Sequence, residues 1–121
     1  MAEKVFFGDL ERAIMTILWD RGSNTVRDVL AHLHRRVAYT TVMTVMNRLV
    51  DQGLLRRRLG SRGAFVYAPT RTREAHTAEV TKASMHQLVH QYGDAALVQF
   101  LEVLDTIPAE KLAKLRAKNR R

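Results

Sequence analysis

Cysteine is absent from this chain of 121 residues. The absence excludes disulfide bonds, thiolate metal sites and cysteine nucleophiles, and it is compatible with a reducing compartment. The chain also lacks the ~18 consecutive apolar residues that a membrane-spanning helix needs, and residues 1–8 carry no secretory signal. We therefore expect a soluble cytoplasmic protein with no membrane partner.

Catalytic signatures are missing as well. The sequence has no Ser-His-Asp order with a glycine elbow, no phosphate-binding glycine loop and no HExxH motif. His86 and His90 have the i, i+4 spacing that can hold a divalent metal, with His76 or Glu79 as candidates for further ligands. Two histidines without a matched third ligand are more often solvated or capping groups. The sequence thus predicts no enzyme, no cofactor and no metal.

Acidic residues are few relative to basic ones, 12 against 20, and the formal net charge is +8. The excess is concentrated between Arg35 and Arg62, where seven arginines accompany one acid, Asp51, for a net charge of +6. Such a cluster favours a polyanionic partner. The hydrophobic content of 46% indicates one or two small globular units, which dimerisation would stabilise.

Three helices are predicted before Gly53. The first covers about residues 9–20, where apolar residues recur as a core face. Thr25 and Asp28 form a capping box that starts the second helix, with room for a very short strand at residues 23–25. The third helix covers residues 39–52 and ends at Gly53, which accepts the left-handed conformation.

The third helix has two different faces. Val42, Val45, Met46 and Leu49 recur at i, i+3, i+4 and i+7, which predicts a buried stripe. The opposite face carries short polar side chains that can approach a DNA groove and contact phosphates or base edges. These outward residues are Thr40, Thr41, Thr44, Asn47, Arg48 and Asp51. An ordinary surface helix fits the same pattern.

Beyond Gly53 the period changes from helical to extended. Residues 54–59 and 64–69 are two strand-like runs around Gly60-Ser61-Arg62-Gly63, which predicts a β-hairpin with a basic tip. Three helices and such a hairpin make a winged helix-turn-helix, so Arg62 and some of the arginines at 56–58 can reach phosphates or a minor groove. A solvated edge hairpin protected by charge is the alternative. The concentration of arginine favours DNA.

Pro69, one of only two prolines, marks a boundary between a DNA-binding domain (residues 1–70) and a dimerisation region (residues 71–121). Three further helices are predicted there: residues 72–92, a second one capped by Asp94 and ending near residue 105, and a last one after Pro108. Their apolar stripes are too small for a monomeric core, so we expect burial against a second copy. The predicted dimerisation residues are Leu88, Tyr92, Leu97, Phe100, Leu101, Leu104, Leu112 and Leu115.

Several motifs follow one another in a specific order along nearly the whole chain. They are GDLERAIM (8–15), Trp19, TVRDV (25–29), AYTTVMTV (38–45), RL (48–49), GLL (53–55), GAFVYAP (63–69) and the segment 107–116. Their order and spacing resemble the penicillinase repressor family of the BlaI/MecI type. The fold class we expect is therefore mainly α with a small β-hairpin: a winged helix-turn-helix domain followed by a helical dimerisation arm.

The resemblance implies a homodimeric transcriptional repressor that binds palindromic operators with TACA and TGTA half-sites. It further implies control of antibiotic (β-lactam) resistance genes and of the protein's own operon. In the best-known members a sensor-linked metalloprotease cleaves an Asn-Phe bond in the C-terminal helices. The corresponding pair here is Gln99-Phe100, whose longer amide departs from the family pattern.

Family positions and the outward face together give the candidate DNA-binding residues. Thr41, Thr44 and Arg48 match family positions that face DNA, and Met43 has either a core role or an apolar contact with thymine. The full set is Tyr39, Thr40, Thr41, Met43, Thr44, Asn47, Arg48, Arg58 and Arg62. Two alternatives remain: a nonspecific or architectural basic DNA-binding protein, and a winged-helix module for protein interaction.

Overall fold

The computed structural model describes residues 7–120. Within that range the helices and strands follow the predicted order, and the segment from the first helix to the hairpin is a winged helix-turn-helix, which confirms the predicted fold class. The elements are α1 (Asp9–Arg21), α2 (Val26–His32), α3 (Tyr39–Asp51), β1 (Leu55–Leu59), β2 (Phe65–Pro69), α4 (Arg73–Tyr92), α5 (Asp94–Asp105) and α6 (Ala109–Asn119). The chain divides into two compact units within α4, one ending at Val80 and the other beginning at Thr81.

The first unit surrounds one apolar core, to which α1, α2, α3 and the hairpin all contribute. Val42, Met46 and Leu49 of α3 are fully buried, and Val45 packs partly against the same cluster, so the predicted stripe is the core face of this helix. The buried members are Ile14, Met15, Leu18, Val26, Val29, Val42, Met46, Leu49, Leu55 and Tyr67. This core fixes α3 and the hairpin side by side.

The start of α2 is the predicted capping box. The Thr25 hydroxyl accepts from the Asp28 amide at 3.1 Å, and the Asp28 carboxylate accepts from the Thr25 amide at 3.1 Å. The hydrogen bond from the Thr25 amide lowers the pKa of Asp28 and the Thr25 side chain lowers it further, since both favour the ionised carboxylate. The predicted short strand is a single β-bridge between Asn24 and Tyr67, which ties the entry of α2 to the hairpin.

Polar contacts hold the start of α4 against α1. The indole Nε1 of Trp19 donates to the backbone carbonyl of Arg71 at 3.0 Å. The Arg73 guanidinium pairs with the Asp20 carboxylate at 2.8 Å, and it also lies 5.6 Å from the centroid of the Trp19 ring. The first turn of α4 therefore belongs structurally to the winged helix.

His76 continues this contact with an aromatic stack. Its ring lies parallel to that of Phe7, with 4.9 Å between centroids, and 5.3 Å from the ring of Trp19. Burial lowers the pKa of His76, and the nearby positive charge of Arg71 lowers it further. Both effects favour the neutral form of the imidazole.

The second unit exposes most of its apolar side chains. Ala96 is the one residue that is buried there in the part of the chain that the structure describes. The predicted cap of α5 is wrong: Gly93, at φ 62°, occupies the N-cap position, because the chain leaves α4 in a conformation that glycine adopts freely. Asp94 is the first residue of α5, where its charge complements the helix dipole.

A helix that spans a membrane must be both long and apolar. No helix within residues 7–120 is both long and apolar enough to cross a bilayer.

Candidate nucleic-acid interface

The outward face of α3 is the polar surface that the sequence predicts. Because the buried stripe occupies the opposite side, the helix presents short polar and charged side chains to solvent. The exposed residues are Tyr39, Thr40, Thr41, Thr44, Arg48 and Asp51. Met43 is partly buried and packs against the core, which is the structural role considered for it. A major groove admits an α-helix, and the short threonine side chains allow the helix backbone to come close to base edges.

Thr44 makes a specific hydrogen bond within the helix. Its hydroxyl donates to the backbone carbonyl of Thr40, one turn earlier, at 2.9 Å. A hydroxyl has one donor and two acceptor positions. With its proton committed to Thr40, the Thr44 oxygen faces an incoming ligand as an acceptor.

Asn47 lies on the same face but is not a free polar side chain. Its Oδ1 accepts from the Arg57 guanidinium at 2.6 Å and from the Tyr67 hydroxyl at 2.8 Å. A guanidinium is exclusively a donor, so the atom that faces Arg57 must be the amide oxygen. Helix α3 and the hairpin are therefore joined by a side-chain network centred on Asn47.

The register of the hairpin explains why Arg57 reaches this helix. Arg57 pairs with Tyr67 across the two antiparallel strands, and directly paired residues lie on one face of a sheet. Tyr67 is buried towards α3, and Arg57 on the same face lies with its guanidinium 4.6 Å from the centroid of the Phe65 ring. Arg56 and Arg58 alternate to the opposite face of the hairpin.

The opposite face of the hairpin has a basic character of its own. A hollow of about 100 Å³ lies there, lined by Arg56, Arg58, Val66 and Ala68 together with Ser23 and Arg57. The predicted DNA-binding residue Arg58 therefore points away from the face that packs on α3. If Arg58 contacts nucleic acid, it would do so from the face of the hairpin that points away from α3.

The tip of the hairpin presents Arg62 to solvent. Gly63 has φ 81°, in the left-handed region, and a Cβ on Gly60 would lie 2.9 Å from the carbonyl oxygen of Ala64. Both glycines are therefore required by the backbone of the turn. The turn that they permit projects an exposed arginine beyond the strands.

The arginines of this surface are not neutralised by the protein. Ion pairs to carboxylates occur at Arg71, with Glu79, and at Arg73, with Asp20. Across residues 7–120, no carboxylate pairs with Arg48 or with the hairpin arginines. Unpaired guanidinium groups beside a helix with short polar side chains suit a phosphate backbone.

The histidines at the predicted metal-binding spacing lie on α4. Among residues 7–120, no three histidine, cysteine, aspartate or glutamate side chains group closely enough to hold a metal ion. His76 stacks on Phe7, and Glu79 pairs with Arg71.

Sequence reasoning found the outward face of α3 but missed the network beside it. Arg57 was predicted only as one of the arginines at 56–58, and Tyr67 was not predicted, although both bind Asn47 Oδ1. Phe65, which lies under the Arg57 guanidinium, was not predicted either. Strand alternation, once the register is known, separates Arg57 from Arg56 and Arg58. The register itself depends on pairing between distant residues, which a single sequence does not give.

Comparison with known proteins shows which family the sequence resembles. The sequence model of the family described as "Penicillinase repressor" matches residues 7–120. The curated protein "Transcriptional regulator BlaI" of Mycobacterium tuberculosis is 38% identical over 118 residues, covering 94% of this chain and 85% of that protein.

Solved structures agree with the fold. The solution structure of the DNA-binding domain of the repressor BlaI matches with a TM-score of 0.51 at 25% identity, covering 60% of this chain and 90% of that domain. BpsR of Bordetella bronchiseptica matches with a TM-score of 0.53 at 17% identity, over 87% of this chain and 82% of that one. At that identity the second match supports the fold alone.

Proposed function

Because the chain belongs to the penicillinase repressor family, and is thus a BlaI-like DNA-binding transcriptional regulator rather than an enzyme, we propose that two copies bind palindromic operator DNA and repress transcription there. The observation that carries the proposal is the juxtaposition of the polar face of α3 with unpaired arginines on the hairpin. Charge alone would suit any nucleic acid. The threonines on the face of α3 beside these arginines suit the reading of base edges.

The proposed operator contacts divide into two kinds. Thr40, Thr41 and Thr44 lie where α3 would meet base edges in the major groove, and their methyl groups suit the methyl of thymine. Arg48 and Arg62 are exposed cations that suit phosphates, which set affinity and register without reading sequence. Half-sites of the TACA and TGTA type, inverted about a two-fold axis, would suit a symmetric pair of such helices.

The second unit supports the proposed dimer. A stripe of apolar side chains on α5 is exposed to solvent in the single chain, with Leu97 at 45%, Leu101 at 62% and Leu104 at 40%. Tyr92 and Leu115, on α4 and α6, are also more than 40% exposed. Exposed apolar surface of this extent favours burial against a partner. The same surface on a second copy is the partner that a two-fold operator requires.

Control of β-lactam resistance genes and cleavage by a sensor-linked protease are the finer parts of the proposal. The Gln99–Phe100 bond lies in the middle of α5, with Gln99 exposed and Phe100 partly buried. A protease acts on locally opened backbone, so cleavage there would need α5 to unfold first. Cleavage would then break the helix that carries the proposed dimer stripe.

The test is fluorescence anisotropy of the purified chain on the DNA upstream of its own gene and on a scrambled duplex. We expect two subunits per site and an affinity for the operator at least ~10³-fold above that for scrambled DNA. Equal and steeply salt-dependent binding to both duplexes would instead favour the nonspecific, architectural alternative.

A further inference from the structure

The side chain of Arg57 is hydrogen-bonded to helix α3. Its guanidinium donates to Asn47 Oδ1 at 2.6 Å and lies over the Phe65 ring at 4.6 Å from the centroid. The two contacts restrain the guanidinium from different directions. The hydrogen bond to Asn47 lies in the plane of its N–H groups, and the cation–π contact holds its charge above the Phe65 ring. A long side chain that is otherwise free to rotate is thus held in one place.

That place is beside the proposed reading face. Asn47 follows Thr44 by three residues and Thr40 by seven, so the three side chains lie along one side of α3. Arg57 is exposed to solvent, and of its five N–H groups one is used by Asn47. The remaining donors border the surface where DNA would lie.

We propose that Arg57 binds a DNA phosphate and that Asn47 is a positioning residue that acts through Arg57; this inference rests on the DNA-binding function proposed above. Asn47 was predicted as a direct DNA contact. Bidentate recognition of adenine by asparagine needs the amide oxygen as an acceptor for the adenine amino group. Here that oxygen already accepts from Arg57 and Tyr67. Asn47 therefore holds the wing arginine in place instead of reading a base.

Arg56 provides a matched control. It has the same charge, is exposed and lies on the same strand as Arg57, but it pairs with Ala68 on the opposite face of the hairpin. Removing either guanidinium lowers the net charge by the same amount. A difference between Arg56→Ala and Arg57→Ala thus reports position and not overall charge.

The experiment measures binding of the full chain to operator and scrambled duplexes over a series of salt concentrations. Arg57→Ala is expected to weaken binding to both duplexes about tenfold and to reduce the slope of log K against log salt by about 1. Asn47→Ala should lower the slope in the same direction without changing the preferred base at any position. The double variant should bind no more weakly than Arg57→Ala, and Arg56→Ala should change the slope by less than half as much.

Two results would overturn the inference. If Arg57→Ala matches Arg56→Ala, Arg57 is not a phosphate contact. If Asn47→Ala alters base preference at unchanged slope, or adds its full loss to that of Arg57→Ala, Asn47 contacts DNA directly.

A further variant keeps the test informative if Asn47→Ala does not fold. Phe65 is 45% exposed, so Phe65→Leu removes the ring beside the guanidinium and leaves the hydrogen bond to Asn47. A smaller loss is expected, which should vanish in the Arg57→Ala background; a loss that persists there contradicts the positioning role. If the wild type binds both duplexes equally, the proposal of specific operator binding is refuted. The salt slopes of Arg57→Ala and Arg56→Ala on scrambled DNA would still show whether Arg57 contacts a phosphate.

Discussion

At the scale of single residues, the hydroxyl of Thr44 has a defined polarity. Its proton is donated to the Thr40 carbonyl, so in the proposed complex with DNA the oxygen would accept from an exocyclic amino group of adenine or cytosine. Thr44→Val keeps the shape and removes the acceptor. A net hydrogen bond is worth about 0.5–1.5 kcal/mol, so we expect ~2- to 12-fold weaker operator binding. Binding to scrambled DNA should stay unchanged, and equal losses on both duplexes would contradict a reading role.

His76 gives a pH dependence of stability. Its pKa is lowered from an ordinary value of 6.5 by burial, so the unfolded chain binds more protons between the lowered value and 6.5. Stability is therefore full above that window and is lost as the pH falls through it. His76→Phe keeps an aromatic ring against Phe7 and removes the titration. In thermal melts at about pH 7.5 and about pH 5.5, the Tm of His76→Phe should fall less on acidification than the Tm of the wild type.

The control for this experiment is another histidine of the same helix. His90 is exposed on α4, and His90→Phe should retain the acid sensitivity of the wild type. If the two variants behave alike, the stack of His76 on Phe7 is not the origin of the effect.

At the scale of elements, α2 depends on its first turn. It has only seven residues, and short helices gain little stability from propensity alone. Thr25→Ala removes the hydroxyl that accepts from the Asp28 amide and should lower the free energy of unfolding by about 0.5–2 kcal/mol. Urea denaturation of the variant measures this loss. Thr77→Ala, on the exposed surface of α4, is the matched control and should be nearly neutral.

The bounds of these elements were predictable because their signals are local. The Thr25–Asp28 box, the glycines at 53 and 93 and the apolar stripe of α3 each act within a few residues, and the helices begin and end within about a turn of the predictions. The Asn47–Arg57 hydrogen bond and the stack of Phe7 on His76 join segments that are distant in sequence. They depend on how the elements pack, so the pattern of one segment contains no trace of them.

At the scale of the whole molecule, the proposed dimer depends on one side of α5. Leu97, Phe100, Leu101 and Leu104 recur at helical spacing, and Val103 lies off this stripe. Leu101 and Val103 are nearly equally exposed in the single chain, at 62% and 59%. Exposure therefore does not distinguish them, whereas their positions on the helix do.

Leu101→Arg should convert the protein to a monomer, because an arginine in the centre of an apolar interface would be buried without a partner. Analytical ultracentrifugation measures the mass, and anisotropy on operators with one or two half-sites measures the consequence. The monomer should lose most of its affinity for the two-site operator, since its two DNA-binding domains are no longer linked. Its affinity for a single half-site should equal that of the wild type. Val103→Arg adds the same charge off the stripe and should remain dimeric. If both variants dissociate, the interface extends around α5; if neither does, the subunits associate through another surface.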